Sequence, residues 1–180
     1  MNFRIENPIF IDINLEDSNM HDHKISTKFT VYENSDELSA TEKDMLKRAI
    51  KARDTAYARY SGFKVGASVL MQNNDIIVGN NQENAAYPSG MCAERVAIWS
   101  AMSAFPDGRI KKIFISARSN RTSVDRPVAP CGACRQAIAE YEVKQEHDIE
   151  IYFTGEVGKI VKAYSIKDLL PWMFDNSMLS

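Results

Sequence analysis

The stretch SGMCAERVAIW, residues 89–99, sets Cys92 and Glu94 two positions apart just where a helical pattern begins. The chain has three cysteines, and the other two lie in APCGACRQAI, residues 129–138, again at the mouth of a helical pattern. Val96, Trp99 and Ser100/Ser103 predict a helix over about 93–104, and the second pattern predicts one over about 132–142. Each motif follows a strand-to-loop passage, which is the rhythm of a layered α/β chain.

Working outward, FKVGASVLM from 63 to 71 puts Phe63, Val65, Ala67, Val69 and Met71 on one face, the alternation of a strand. QNND turns it into IIVGNNQ, giving an antiparallel pair. Upstream, Ser39-Ala40-Thr41-Glu42 has capping-box spacing, and Met45/Leu46, Ala49/Ile50, Arg53 and Ala56/Tyr57 extend a helix over about 40–58. Downstream, Pro106-Asp107-Gly108 ends the second helix. IKKIFISA reads as a buried strand, RSNRTSVDRPVA as a long loop, and DIEIYFTG and IVKAYS as two more strands. IKDLL is a short closing helix stopped by Pro171. The order α-β-β-α-β-α-β-β predicts a three-layer α-β-α sandwich, with helices on both faces of a mixed sheet of about five strands. Residues 39–180 form this domain. Residues 1–38 are an N-terminal extension, partly irregular, broken by Pro8 and EDSNMHDHK; one alternating stretch, ISTKFTVY from 25 to 32, is suited to add an edge strand. His21 and His23 have no third ligand nearby and read as solvated loop residues.

With 180 residues and 44% hydrophobic content, the chain can bury a core without disulfides. Its net charge of −2 provides no general attraction for a polyanion, which argues against a nucleic-acid partner. No apolar run approaches the roughly 18 residues that span a bilayer, and acidic residues stand where a signal peptide is apolar, so no membrane role and a cytoplasmic location are expected. An odd number of cysteines cannot pair fully within the chain, and reducing conditions keep thiols free, which leaves metal binding or catalysis as the leading explanation.

Cys131 and Cys134, at i and i+3, can hold one ion from a single helical turn, and Cys92 at a neighbouring helix mouth can supply a third ligand. Helix N-termini favour the thiolate form. Structural zinc normally takes four protein ligands; three leave one position open for water, as in a catalytic site. Glu94 can project from the same turn as Cys92 and act as general base, then general acid. Arg95 and Arg135 are placed to offset the charge of three thiolates on Zn²⁺. Two other readings stay open: Cys92 alone as a small buried apolar residue, and Cys131/Cys134 as a redox pair. Met91, Trp99 and Met102 read as packing residues.

CAER and PCGACR, with YSGFKVGA at 60–67 and NNQENAAYPSG at 80–90, resemble the short, homotetrameric, three-cysteine cytidine deaminases; the resemblance spans about residues 39–174. It implies that Cys92, Cys131 and Cys134 bind zinc, that Glu94 shuttles protons, and that cytidine and deoxycytidine are deaminated hydrolytically with release of ammonia. It further implies that Asn81 and Glu83 hydrogen-bond the ribose, that Phe63 packs on the base, and that the Ala93 backbone reads the pyrimidine edge. Tyr87 is implied to serve a neighbouring subunit's site, as is Phe174 of LLPWMF, although Asp175-Asn176 stand where the family has Gly-Pro. A nucleoside-antibiotic deaminase, a base editor of nucleic acid and a non-enzymatic zinc module are the alternatives. FKVGA and NQEN argue against the first, the charge against the second, and the lack of a fourth ligand against the third.

Overall fold

Helix α1 (Ala40–Asp54) starts where Ser39 and Glu42 cap each other: the Ser39 N–H donates to Glu42 Oε2 at 2.9 Å and the Glu42 N–H to Ser39 Oγ at 3.4 Å. The pairing satisfies amides that a helix start otherwise leaves without partners. The computed structural model describes Asp22 and residues 24–179, so His21 and His23 lie outside the described residues. Helix α1 ends at Asp54, short of 58, because the Tyr57 backbone bonds elsewhere: its N–H donates to Asn81 O at 3.1 Å and its carbonyl accepts from Glu83 N–H at 2.9 Å.

Six strands, β1 (Phe29–Tyr32), β2 (Phe63–Met71), β3 (Ile76–Asn80), β4 (Ile110–Ser119), β5 (Glu150–Thr154) and β6 (Ile160–Ala163), form one sheet in the order β1-β6-β5-β4-β2-β3. The expectation of about five becomes six because residues 29–32 add themselves antiparallel to β6, so the sheet begins before residue 39. Only β4 and β5 run parallel, joined across α3 (Gly132–Gln145); every other neighbouring pair is antiparallel. A parallel neighbour requires such a crossover, and a helix supplies it. Helix α2 (Ala93–Ala104) lies between β3 and β4 in the chain.

Period-two alternation divides the strands between two cores. Ala67, Val69 and Met71 of β2, with Ile113, Ile115, Ile151 and Phe153, pack with Ala97, Ile98 and Ile138 of α2 and α3. On the other face Leu70, Phe114, Tyr152 and Ile160 pack with Met45 of α1 and with Leu38. Each Val, Leu, Ile, Met or Phe side chain among these, when fully buried, contributes about 1.5–3 kcal/mol. Two glycines set the layer spacing. A Cβ on Gly66 would lie 2.0 Å from Ala49 O of α1, and one on Gly79 would lie 2.5 Å from Ala97 N of α2. Among the described residues no helix is long and apolar enough to cross a membrane.

The register decides where function can sit. Phe63 stands opposite Ser119, and Gly66 opposite Asn80. The start of β2 and the ends of β3 and β4 therefore share one end of the sheet. The segments leaving β3 and β4 there lead into α2 and α3.

Candidate active site

Cys92 and Cys131 are the N-cap residues of α2 and α3, both with extended backbone, and neither side chain caps its helix. Their sulfurs are thus free to turn toward a common point. Cys92 Sγ lies 3.8 Å from Cys131 Sγ, and Cys131 Sγ 3.5 Å from Cys134 Sγ; all three sulfurs fall within 4.8 Å of one another. Thiolates at tetrahedral corners around a zinc ion, each about 2.3 Å from it, sit about 3.8 Å apart, so the donor set fits that ion. All three thiols are free.

The electrostatics also point to a cation. The Cys92 thiol is drawn down to about 5 by hydrogen bonding with Cys134 and from Arg95, against the effect of burial. The same contact and burial push Cys134 up. One thiolate therefore forms readily and opposes the next, a conflict that a divalent ion removes. Glu94, in the first turn of α2, is only 5% exposed. Burial raises its carboxyl above the usual range; its own backbone N–H opposes that and the nearby Cys92 adds to it.

Of the two arginines expected to temper this charge, Arg95 does so: its Nη2 donates to Cys92 Sγ at 3.6 Å, and its guanidinium lies 5.7 Å from the centre of the exposed Trp99 ring. Arg135 does not. It donates instead to the carbonyls of Pro130 at 2.9 Å and Leu169 at 2.8 Å, tying the mouth of α3 to the C-terminal segment. Met102 is buried in the core, as a packing residue should be.

Beside the sulfurs opens a cavity of about 560 Å³, lined among others by Tyr60, Ser61, Asn81, Glu83, Tyr87 and Cys92. The segment after β3 is pinned across its width, Gln82 and Met91 exchanging two backbone hydrogen bonds of 2.8 Å. Asn81 and Glu83 come together here as the sequence suggested, but each already has protein partners. Asn81 Oδ1 accepts from Val65 N–H at 2.8 Å, and its Nδ2 donates to Phe63 O at 2.9 Å. The Glu83 carboxylate accepts from Tyr60 N–H at 2.7 Å and from the Ser61 amide and hydroxyl. Burial opposes ionisation of Glu83, yet these bonds, Ser61 foremost, hold its carboxyl below the usual range.

Phe63 is half-buried at the start of β2, and Ala93 is fully buried behind Cys92. Neither lines the cavity, and neither does Phe174. Tyr87 and Phe174 are 77% and 57% exposed in the single chain. Gln136 Nε2 donates to Phe174 O at 2.7 Å, which tethers the C-terminal segment to α3. Ser61 and Tyr60 were not singled out from the sequence. Their place two and three residues before Phe63, in a turn that leads through Gly62 into β2, was the available signal.

Residues 39–146 match the family model of the cytidine and deoxycytidylate deaminase zinc-binding region. The chain belongs to this family. It is 39% identical over 130 residues to a cytidine deaminase of Halalkalibacterium halodurans, covering 72% of this chain and 91% of that one. A cytidine deaminase of Sporosarcina psychrophila is 39% identical over 132 residues, covering 72% and 88%. The crystal structure of cytidine deaminase from Burkholderia pseudomallei superposes with a TM-score of 0.63 at 36% identity, over 73% of this chain and 98% of that one. Zinc is accordingly the metal of this centre, and the three gathered sulfurs are the donors suited to it.

Proposed function

We propose that the protein hydrolyses cytidine and deoxycytidine to uridine and deoxyuridine with release of ammonia, in pyrimidine salvage in the cytoplasm. The observation that carries this reading is the buried Glu94 carboxyl, in the same helical turn that follows Cys92, beside three converging thiols. Cys92, Cys131 and Cys134 would hold the metal, three protein donors being the number typical of a catalytic rather than a structural zinc. Bound there, zinc supplies Lewis-acid chemistry that makes water a competent nucleophile near neutral pH. Glu94 takes a proton from the attacking water and gives it to N3 of the cytosine ring. It then carries the second proton to the departing amino group, so that ammonia leaves and a carbonyl forms at C4.

The remaining contacts are those that the family resemblance implies. Glu83 and Asn81 hydrogen-bond the sugar, Phe63 packs on the base, and the Ala93 backbone reads the pyrimidine edge. Among the described residues the one arginine lining the cavity, Arg95, already engages Cys92, which favours an uncharged nucleoside over a nucleotide. Tyr87 and Phe174, exposed in one chain, complete the sites of neighbouring copies in a homotetramer. Residues 39–180 act as the catalytic domain, with Phe29–Tyr32 of the N-terminal extension adding the edge strand β1 to its sheet.

The test is to incubate the zinc-loaded protein with cytidine, deoxycytidine, cytosine and cytidine monophosphate while following ammonia release. Turnover of the two nucleosides well above the base and the nucleotide is expected; none with either nucleoside overturns the reading. Light scattering that finds a fully active monomer overturns the shared-site part.

A further inference from the structure

We infer that Ser61 is a positioning residue that locks Glu83 in the orientation needed to bind the sugar and ties it to the start of β2. The inference rests on the reading of Glu83 as a sugar-binding group.

A serine hydroxyl has one proton to donate and two lone pairs to accept with. Ser61 uses both capacities on groups of the site: its hydroxyl donates to Glu83 Oε1, and its oxygen accepts from Phe63 N–H at 2.9 Å. One side chain therefore joins the loop that carries Glu83 to the strand residue proposed to contact the base. Ser61 and Glu83 both line the cavity.

The turn that presents Ser61 is itself braced. Gly62 has φ of +67°, a left-handed conformation that side-chain-bearing residues rarely adopt. Its N–H donates to Ala58 O at 3.0 Å, and its carbonyl accepts from Asn120 N–H at 2.9 Å. Arg121 Nη2 donates to Tyr60 O at 2.9 Å from the loop after β4. The turn that carries the hydroxyl is thus braced from two separate chain segments.

The consequence for Glu83 is directional. An ionised carboxylate offers about four lone-pair positions. Oε2 receives Tyr60 N–H at 2.7 Å and Ser61 N–H at 3.3 Å, while Oε1 receives the Ser61 hydroxyl and shares the Ser61 N–H at 3.4 Å. Three donors fix the plane of the carboxylate, and a sugar hydroxyl reaching Oε1 has only the longest contact, the 3.4 Å one from Ser61 N–H, to displace. Without the Ser61 hydroxyl, Oε1 loses its strongest tether and the carboxylate can rotate away. The sugar must then be bound by a group that is no longer preorganised, which weakens binding of substrate and transition state alike.

The experiment compares zinc-loaded wild type with Ser61→Ala, Ser61→Thr, Glu83→Gln and the Ser61→Ala/Glu83→Gln double variant, using cytidine and 2′,3′-dideoxycytidine. For cytidine, Ser61→Ala is expected to raise KM about 10-fold, the weight of one hydrogen bond to a charged group, with kcat within about 2-fold. Ser61→Thr should restore KM. With the dideoxynucleoside, which offers no sugar diol, Ser61→Ala should have little effect. In the Glu83→Gln background Ser61→Ala should add little for either substrate. If Glu83→Gln raises the cytidine KM but Ser61→Ala does not, the positioning role is wrong and the sugar-binding role of Glu83 stands. An equal rise for both substrates means that Ser61 acts only on the fold, which overturns the inference. If Glu83→Gln leaves the ratio of the two KM values unchanged, the reading of Glu83 falls and this inference falls with it.

Discussion

Two clusters of ionisable side chains lie on opposite faces of the same sheet, and their charge balance differs. On the α1 face, Lys112 Nζ donates to Glu42 at 2.7 Å and pairs with Glu150 at 2.8 Å, Lys162 pairs with Glu150, and Tyr152 OH donates to Glu42 at 2.6 Å. Two carboxylates meet two ammonium groups, and a phenol supplies a further hydrogen bond. Burial pushes the Glu42 carboxyl up, but its bonds from Lys112, Tyr152 and Ser39 more than reverse that and hold it at about 2. At the mouths of α2 and α3, three thiols and the Glu94 carboxyl converge with Arg95 as their cationic neighbour. The first cluster is complete within the protein. The second becomes complete only with a cation from outside, and that surplus of acidic groups, Cys134 and Glu94 buried and Cys131 exposed, distinguishes a functional site from a structural one.

The largest effect should come from deleting a donor of the unbalanced cluster. Cys134→Ala leaves two sulfurs, too few to retain zinc, so elemental analysis should find the metal largely lost and turnover lost with it. Full zinc content in that variant would break the comparison. Next is Glu94→Gln, which removes the proposed proton carrier and keeps the donors; zinc should remain while kcat falls by ~10² to 10⁴, the usual weight of acid–base catalysis. Near-normal turnover would assign the proton transfer elsewhere.

The smallest effect on activity, and the largest relative effect on folding, belongs to the balanced cluster. Glu42→Gln should leave kcat unchanged and cost about 1–3 kcal/mol near pH 7, because Lys112 and Tyr152 lose a charged partner. Its pH dependence follows from the sign of the shift. The Glu42 carboxyl is lowered from 4.5 to about 2 on folding, so its contribution is fully present above about pH 4.5 and is lost as pH falls toward 2. The difference in urea midpoint between wild type and variant should therefore shrink across that window. A constant difference down to pH 2 would show that Glu42 acts through packing rather than charge.

Much of this was legible in residue spacing. The Ser39/Glu42 cap, the two helix mouths and the alternation of β2 are local patterns, and the structure bears each of them out. The end of α1 was not legible, because Tyr57 continues the helical pattern yet bonds to Asn81 and Glu83. Nor was the direction of Arg135, which sits as close to a ligand in sequence as Arg95 does but turns to the carbonyls of Pro130 and Leu169. The Glu42–Lys112–Tyr152 cluster gave no signal either, since its members lie on α1, β4 and β5.

By itself the sequence determined which residues share a helical turn: Cys131 with Cys134, and Glu94 with the residue after Cys92. Helical geometry is a property of neighbours three and four positions apart and needs no distant contact. Only the tertiary structure decided that the two turns face each other. That depends on the pairing of β2 with β3 and β4, which brings Phe63 opposite Ser119 and Gly66 opposite Asn80. It depends equally on Gly66 and Gly79, where the absence of a side chain lets α1 and α2 lie close against the sheet. Pairing between strands far apart in the chain is settled by the fit of whole surfaces, and this is why the partners of Glu83, Ser61 above all, emerged only from the folded molecule.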